Sequence, residues 1–154
     1  MPPRISALGL DIGKKRIGVA GCDGTGLIAT GLTTIERQSF ALDVAQLQKL
    51  VKERTAQILV VGLPYTMRGE LGFQAKQVQK LAPKLAQALS LPMEYVDERL
   101  TSVEAEQLIN LEKRSAYFVD KGLIDRKAAA IILQRWLDLK RDRNHLQAVD
   151  IPLA

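Results

Sequence analysis

The sequence predicts an α/β fold built on a mixed five-stranded sheet, an antiparallel three-strand meander followed by parallel crossover strands, with helices flanking it. Three observations carry that prediction. Short runs of apolar and β-branched residues open the chain, and from Ser39 the apolar positions recur at helical spacing. Beyond that helix a continuous apolar run, QILVVGLP at 57–64, has the composition of a parallel strand covered on both faces.

The first strand is read at residues 5–11 (Ile5, Ala7, Leu8, Leu10) and the second at 16–22 (Ile17, Val19, Cys22), joined by the tight turn GKK. A third run, LIATGLTTI from Leu27, is rich in β-branched residues and completes the meander. Phe40, Val44, Leu47 and Val51 then define one face of a helix. After the 57–64 strand, YTMRGELG at 65–72 has no periodicity and carries two glycines, so it reads as a loop at that strand's C-terminal end. A second helix follows along Ala75, Val78, Leu81, Leu85 and Leu89, where Pro83 is expected to kink it or divide it in two. MEYVDE is a short fifth strand, and TSVE at 101–104 matches a capping box, Thr101 as N-cap and Glu104 at N3, opening a third helix. A polar, irregular stretch at 110–122 precedes a last helix through Ala128, Ile131, Ile132, Trp136 and Leu139. Trp136 at that spacing reads as core, and His145 as a solvated residue in a polar tail.

With 154 residues and 47% hydrophobic content, the chain fits one domain, 1–154, with a full-sized core. No stretch approaches the roughly 18 apolar residues of a membrane span, and MPPRISALGL lacks the apolar region of a secretory signal, so a cytoplasmic protein with no membrane partner is expected. Cys22 is the single cysteine; it reads as a small buried hydrophobe. The net charge of +5 is unevenly placed: residues 113–143 hold nine Lys or Arg against four Asp or Glu, while the rest of the chain balances. Such a segment attracts a polyanion such as nucleic acid, or is a solvated helix face.

Three acidic positions adjoin the core. Asp11 ends the first strand, Asp97 and Glu98 end the last, and Asp125 starts the final helix in line with Ala129, Ile132 and Trp136. Singly, each has an ordinary role, satisfying turn amides, favouring a helix N-terminus or capping a helix. Gathered at one sheet edge they would repel one another unless they shared a cation or stayed partly protonated, and all-oxygen donors suit Mg²⁺ or Mn²⁺.

The segments LGLDIGKKRIGVA, VVGLP with its glycine-bearing loop, VDERLTS and IDRKAAAIILQ, in this order, resemble the YqgF/RuvX family over nearly the whole chain. The resemblance implies a ribonuclease H-like fold related to Holliday-junction resolvases. It also implies a metal-dependent nuclease, endo- or exonucleolytic, associated with 5′-end processing of pre-16S ribosomal RNA. It assigns Asp11, Glu98 and Asp125 as catalytic and metal-binding acids, with Asp97 the alternative to Glu98. Lys14 stands where the family usually has Thr after the Gly, and Ser102 where Thr is common. Neither position is an acid.

On that reading, a pair of metals about 4 Å apart activates a water and stabilises the leaving oxygen, with Asp11 bridging them and Glu98 and Asp125 each completing one side. Lys14, Lys15 and Arg16 follow Asp11 directly, and Arg99 adjoins Glu98; all four are candidate phosphate contacts. Their bland alternatives are a solvated hairpin tip and an ion pair. Tyr65, Met67 and Arg68 lie where sheet proteins build ligand crevices, Tyr65 either stacking on a base or packing its loop. Three other readings compete: a Holliday-junction resolvase acting on four-way DNA, which needs two sites in a symmetric dimer, a non-catalytic nucleic-acid-binding module, and an ATP-dependent sugar-kinase or actin-like protein. DIGKKRIGVA also resembles the phosphate hairpin of that last superfamily, but such proteins need two lobes and leave the acids at 98 and 125 unexplained.

Overall fold

The computed structural model describes residues 5–64, 72–97 and 121–149, with the side chains of the last helix described from 123 to 141. Strands β1 (Ala7–Ile12), β2 (Arg16–Cys22) and β3 (Ala29–Glu36) are followed by α1 (Phe40–Arg54), β4 (Ile58–Leu63), α2 (Phe73–Leu89), β5 (Met93–Asp97) and α3 (Lys121–Val149). The sheet order is β3-β2-β1-β4-β5. The first three strands pair antiparallel, while β4 runs parallel to both β1 and β5. This is the mixed sheet the apolar runs predict.

Strand alternation divides the core into two layers. Leu8, Leu10 and Ile12 of β1, with Ile17 and Val19 of β2 and Leu59, Val61 and Leu63 of β4, meet Leu47 and Val51 of α1 and Val78, Ala82 and Leu85 of α2. Ala7, Ala20, Cys22, Val60 and Val96 point the other way, onto Ala129, Ile132, Leu133, Trp136 and Leu137 of α3. Cys22 is buried there and its thiol donates to the Ile5 carbonyl, in keeping with a small core residue. Trp136 is core as well, and its indole N–H donates to Glu94 of β5.

Local chemistry sets the element ends. Ser39 caps α1 by accepting from the Leu42 amide, and buried Asp43 accepts from the Gln38 amide. Asp23 closes the β2–β3 turn by accepting from the amides of Leu27 and Ile28 at 2.9 and 3.1 Å and from the Thr25 hydroxyl.

Three expectations change. Pro83 neither divides nor ends α2, which is one helix; Pro83 is itself exposed while Ala82, Leu85 and Ala86 continue the buried stripe across it. Phe40, at the first position of α1, is 45% exposed rather than packed. The last helix begins by Lys121, so Asp125 lies inside it and is not its cap, and the tail through residue 145 is helical to Val149. The loop reading of 65–71, the helix opened by Thr101 and the irregular segment up to 120 lie outside the described residues. No helix among the described residues is long and apolar enough to cross a membrane.

Candidate active site

Asp11 sits in β1 two residues beyond Gly9 and four beyond Ala7, so alternation puts it on the α3 side of the sheet. Its antiparallel partner on β2 is Gly18. Over Gly18 lies the backbone of Asp125: a Cβ at position 18 would stand 2.0 Å from the Asp125 carbonyl oxygen and 3.1 Å from its Cα. Only a glycine lets α3 come this close. One turn further along, Gly9 does the same for Ala129 and Leu133, a Cβ there falling 2.7 Å from Leu133 Cβ. The two glycines thus lower α3 onto the sheet beside the end of β1 and bring Asp125 over the cross-strand neighbour of Asp11.

Asp125 is held from below. Arg16, at the start of β2 and on the same face, donates from Nε to Asp125 Oδ2 at 3.0 Å, both side chains about a quarter exposed. Arg16 is therefore an acid-orienting residue in this state, a partner the turn reading did not foresee. Lys14 and Lys15 are exposed in the turn, whose closure is the Gly13 amide donating to the Arg16 carbonyl. Arg37, at the end of β3, clamps the same turn: its guanidinium donates to the Gly13 carbonyl at 2.7 Å and its amide to the Lys15 carbonyl.

Asp97 ends β5 in register with Leu63. It shares a face with Met93, which packs against the α1 and α2 layer, whereas Glu94 and Val96 face α3. Asp97 thus lies on the opposite face of the sheet from Asp11 and Asp125. Glu98 and Arg99 lie outside the described residues, as do Tyr65, Met67 and Arg68. Among the described residues no three metal-ligating side chains come together; what the fold brings near the end of β1 is the backbone of Asp125, over the cross-strand partner of Asp11 and on the same face of the sheet. Their oxygens are hard donors of the kind Mg²⁺ and Mn²⁺ take.

A five-stranded mixed sheet with this order, helices on both faces and an acid at the end of its first strand defines a ribonuclease H-like protein. Solved structures agree on the fold: Thermus thermophilus RuvC in complex with a Holliday junction substrate superposes with a TM-score of 0.57 at 12% identity, covering 89% of this chain and 96% of that one. Residues 5–139 match the family described as RuvX, Holliday junction resolvase, and the chain belongs to that family. Proteins named "Putative pre-16S rRNA nuclease" are similar along most of the sequence. That of Rippkaea orientalis is 72% identical over 138 residues, 90% of this chain and 99% of its own, and that of Synechocystis is 63% identical over 147 residues, 96% and 95% of the two.

Proposed function

We propose that this protein is a metal-dependent nuclease that hydrolyses phosphodiester bonds in the 5′-end processing of pre-16S ribosomal RNA in the cytoplasm. The observation that carries the reading is the placement of Asp125 over Gly18, the cross-strand partner of Asp11, beside a basic turn. The name carried by a relative 72% identical over nearly its whole length supports that choice of substrate.

Asp11, Glu98 and Asp125 are the residues that would hold one or two divalent cations, Mg²⁺ or Mn²⁺. Glu98 is preferred to Asp97 because Asp97 faces the α2 side. Such a cation, when bound, lowers the pKa of the attacking water and stabilises charge on the leaving oxygen. The chain's own residues do the rest. Asp11 rides on a central strand whose neighbours on both sides are hydrogen-bonded, so its position is rigid. Arg16 orients the Asp125 carboxylate, and Lys14 and Lys15 put positive charge within three or four residues of Asp11, where the phosphate arrives.

The test is cleavage of a pre-16S 5′ fragment and of a synthetic four-way junction with Mg²⁺, with Mn²⁺ and with chelator, using wild type and Asp11→Asn. The reading requires metal-dependent cutting of the RNA that the variant loses. Equal cutting by the variant removes the catalytic assignment, and preference for the junction moves the substrate to DNA.

A further inference from the structure

Around the end of β1, on the side away from Asp125, lies a cavity of about 510 Å³ whose α2 wall the proposed chemistry leaves unused. Ile12 and Val78 form part of its floor, and Lys14, Arg37, Lys80 and Lys84 stand around it with Gln77 and Phe73. Among the described lining residues four are cations and none is an acid. Phe73 is 70% exposed, the most exposed of the large apolar side chains among the described residues.

The charge pattern of α2 makes this more than a solvated helix face. Between Phe73 and Leu89 the helix carries Lys76, Lys80 and Lys84 and no carboxylate at all. These lysines follow one another at i, i+4, a spacing at which like charges destabilise a helix and at which a surface helix ordinarily alternates sign. The first turn has no acid to meet the helix dipole either. Each feature is a local cost that an anionic partner would relieve. Phe73, Gln77, Lys80 and Lys84 form a stripe with steps of four, three and four residues, about 16 Å of helix. At its head the stripe meets the β1–β2 turn, where Arg37 is fixed by the Gly13 and Lys14 carbonyls.

We propose that this groove is a docking track for single-stranded nucleic acid, Lys80 and Lys84 taking backbone phosphates and Phe73 stacking on an unpaired base. The inference rests on the nuclease reading and extends it: Ile12, Gly13 and Lys14 of the groove directly follow Asp11, so a strand crossing the end of β1 touches both faces, with its scissile phosphate at the carboxylates and its flank in the groove. A single strand fits where a duplex does not, because stacking on Phe73 requires a base free of its helix.

The experiment is fluorescence anisotropy of a labelled, mixed-sequence single-stranded RNA in chelator, so that binding is read without cleavage, over a range of salt. Wild type, Phe73→Ala and the double variant Lys80→Ala/Lys84→Ala are compared, with circular dichroism to show that each is folded. The double variant binds about tenfold more weakly and its log–log salt slope falls by about 1.4, two phosphate contacts at ~0.7 each. Phe73→Ala weakens binding about tenfold with the slope unchanged, the signature of lost stacking. On a long RNA substrate the groove variants raise KM and leave kcat alone. If wild type binds and cuts RNA but the groove variants match it in affinity and slope, the docking track is wrong and the nuclease stands. If adenosine monophosphate competes as well as the oligonucleotide, the groove is a mononucleotide site and the proposal falls. If wild type binds no single strand, the docking track falls, while the nuclease reading is decided separately by metal-dependent cleavage of the pre-16S fragment.

Discussion

Arg16 Nε donates to Asp125 Oδ2 at 3.0 Å, so the first residue of β2 holds the carboxylate of a helix that arrives more than a hundred residues later. The pair is about a quarter exposed, so its contribution to stability is modest, at most about 1 kcal/mol. Its consequence is orientation. Arg16→Ala is expected to leave the melting temperature within a few degrees of wild type while lowering kcat on RNA tenfold or more, and Arg16→Lys to restore part of the loss. A variant with unchanged kcat would show that Asp125 needs no such anchor.

Gly18 joins the two acids mechanically. A Cβ at this position meets backbone, the Asp125 carbonyl oxygen at 2.0 Å, and no rotamer change can relieve that. Gly18→Ala must lift the N-terminal half of α3 off the sheet, at a cost of about 1–3 kcal/mol by analogy with overpacked cores. Chemical denaturation measures the loss. Gly9→Ala, whose Cβ meets Leu133 Cβ at 2.7 Å and the Ala129 carbonyl at 2.9 Å, is expected to destabilise similarly. Under conditions where both variants are folded, Gly18→Ala should have the lower kcat, because only its clash bears directly on Asp125.

The contrast between these residues shows how far the sequence could be read. Ile17 and Val19, Leu59 and Val61 alternate or run continuously because the sheet has a helix layer on both sides, and that pattern is written in a few adjacent letters. The acid at the end of β1 was legible for the same reason. Arg37 and the Lys80–Lys84 stripe were not. Their spacing on their own elements can be counted, but their convergence on the β1–β2 turn depends on how α2 packs against the sheet, which no local pattern records. Pro83 misled because a proline's local cost was weighed without the buried stripe of Ala82, Leu85 and Ala86 that carries the helix across it. The position of Asp125 within α3 was missed since the helix starts in a polar stretch with no apolar period to announce it.

Burial on the α3 layer yields a plain stability prediction. Leu133 is fully buried against β1 and packs with Trp136 and Val60. Leu133→Ala is expected to cost about 2–5 kcal/mol, the range for deleting a buried leucine side chain. Equilibrium unfolding in urea checks it, and a loss under about 1 kcal/mol would mean that α3 is loosely docked.

The β2–β3 turn carries a pH signature. The Thr25 hydroxyl, then the Ile28 amide, hold the Asp23 carboxyl below the usual carboxylate range, with the Leu27 and Gly26 amides adding to them and burial opposing. A depressed folded-state value means the charged form is favoured by folding. Its contribution is full above the unfolded value and is lost as pH falls through the lower folded one, in the acid range below about pH 4. Asp23→Asn should therefore melt below wild type at neutral pH, with the gap narrowing on acidification. A gap independent of pH would assign the turn's stability to shape rather than charge.

Cation binding can be read from stability as well as from turnover. A ligand that binds the folded chain alone stabilises it by RT ln(1 + [L]/Kd), about 2.7 kcal/mol at a hundred times Kd. Titrating Mg²⁺ or Mn²⁺ into wild type is expected to raise the melting temperature with concentration, and chelator to reverse it. Ca²⁺, with its larger radius, binds oxygen donors too, so a rise with all three ions identifies a carboxylate site without choosing the metal. Asp11→Asn exchanges a carboxylate for a neutral amide at the end of β1, and Asp125→Asn does so on α3; if these acids hold the ion, each flattens the response. Should both variants respond as wild type does, the cation binds elsewhere, and the juxtaposition of these two acids across Gly18 would need another purpose.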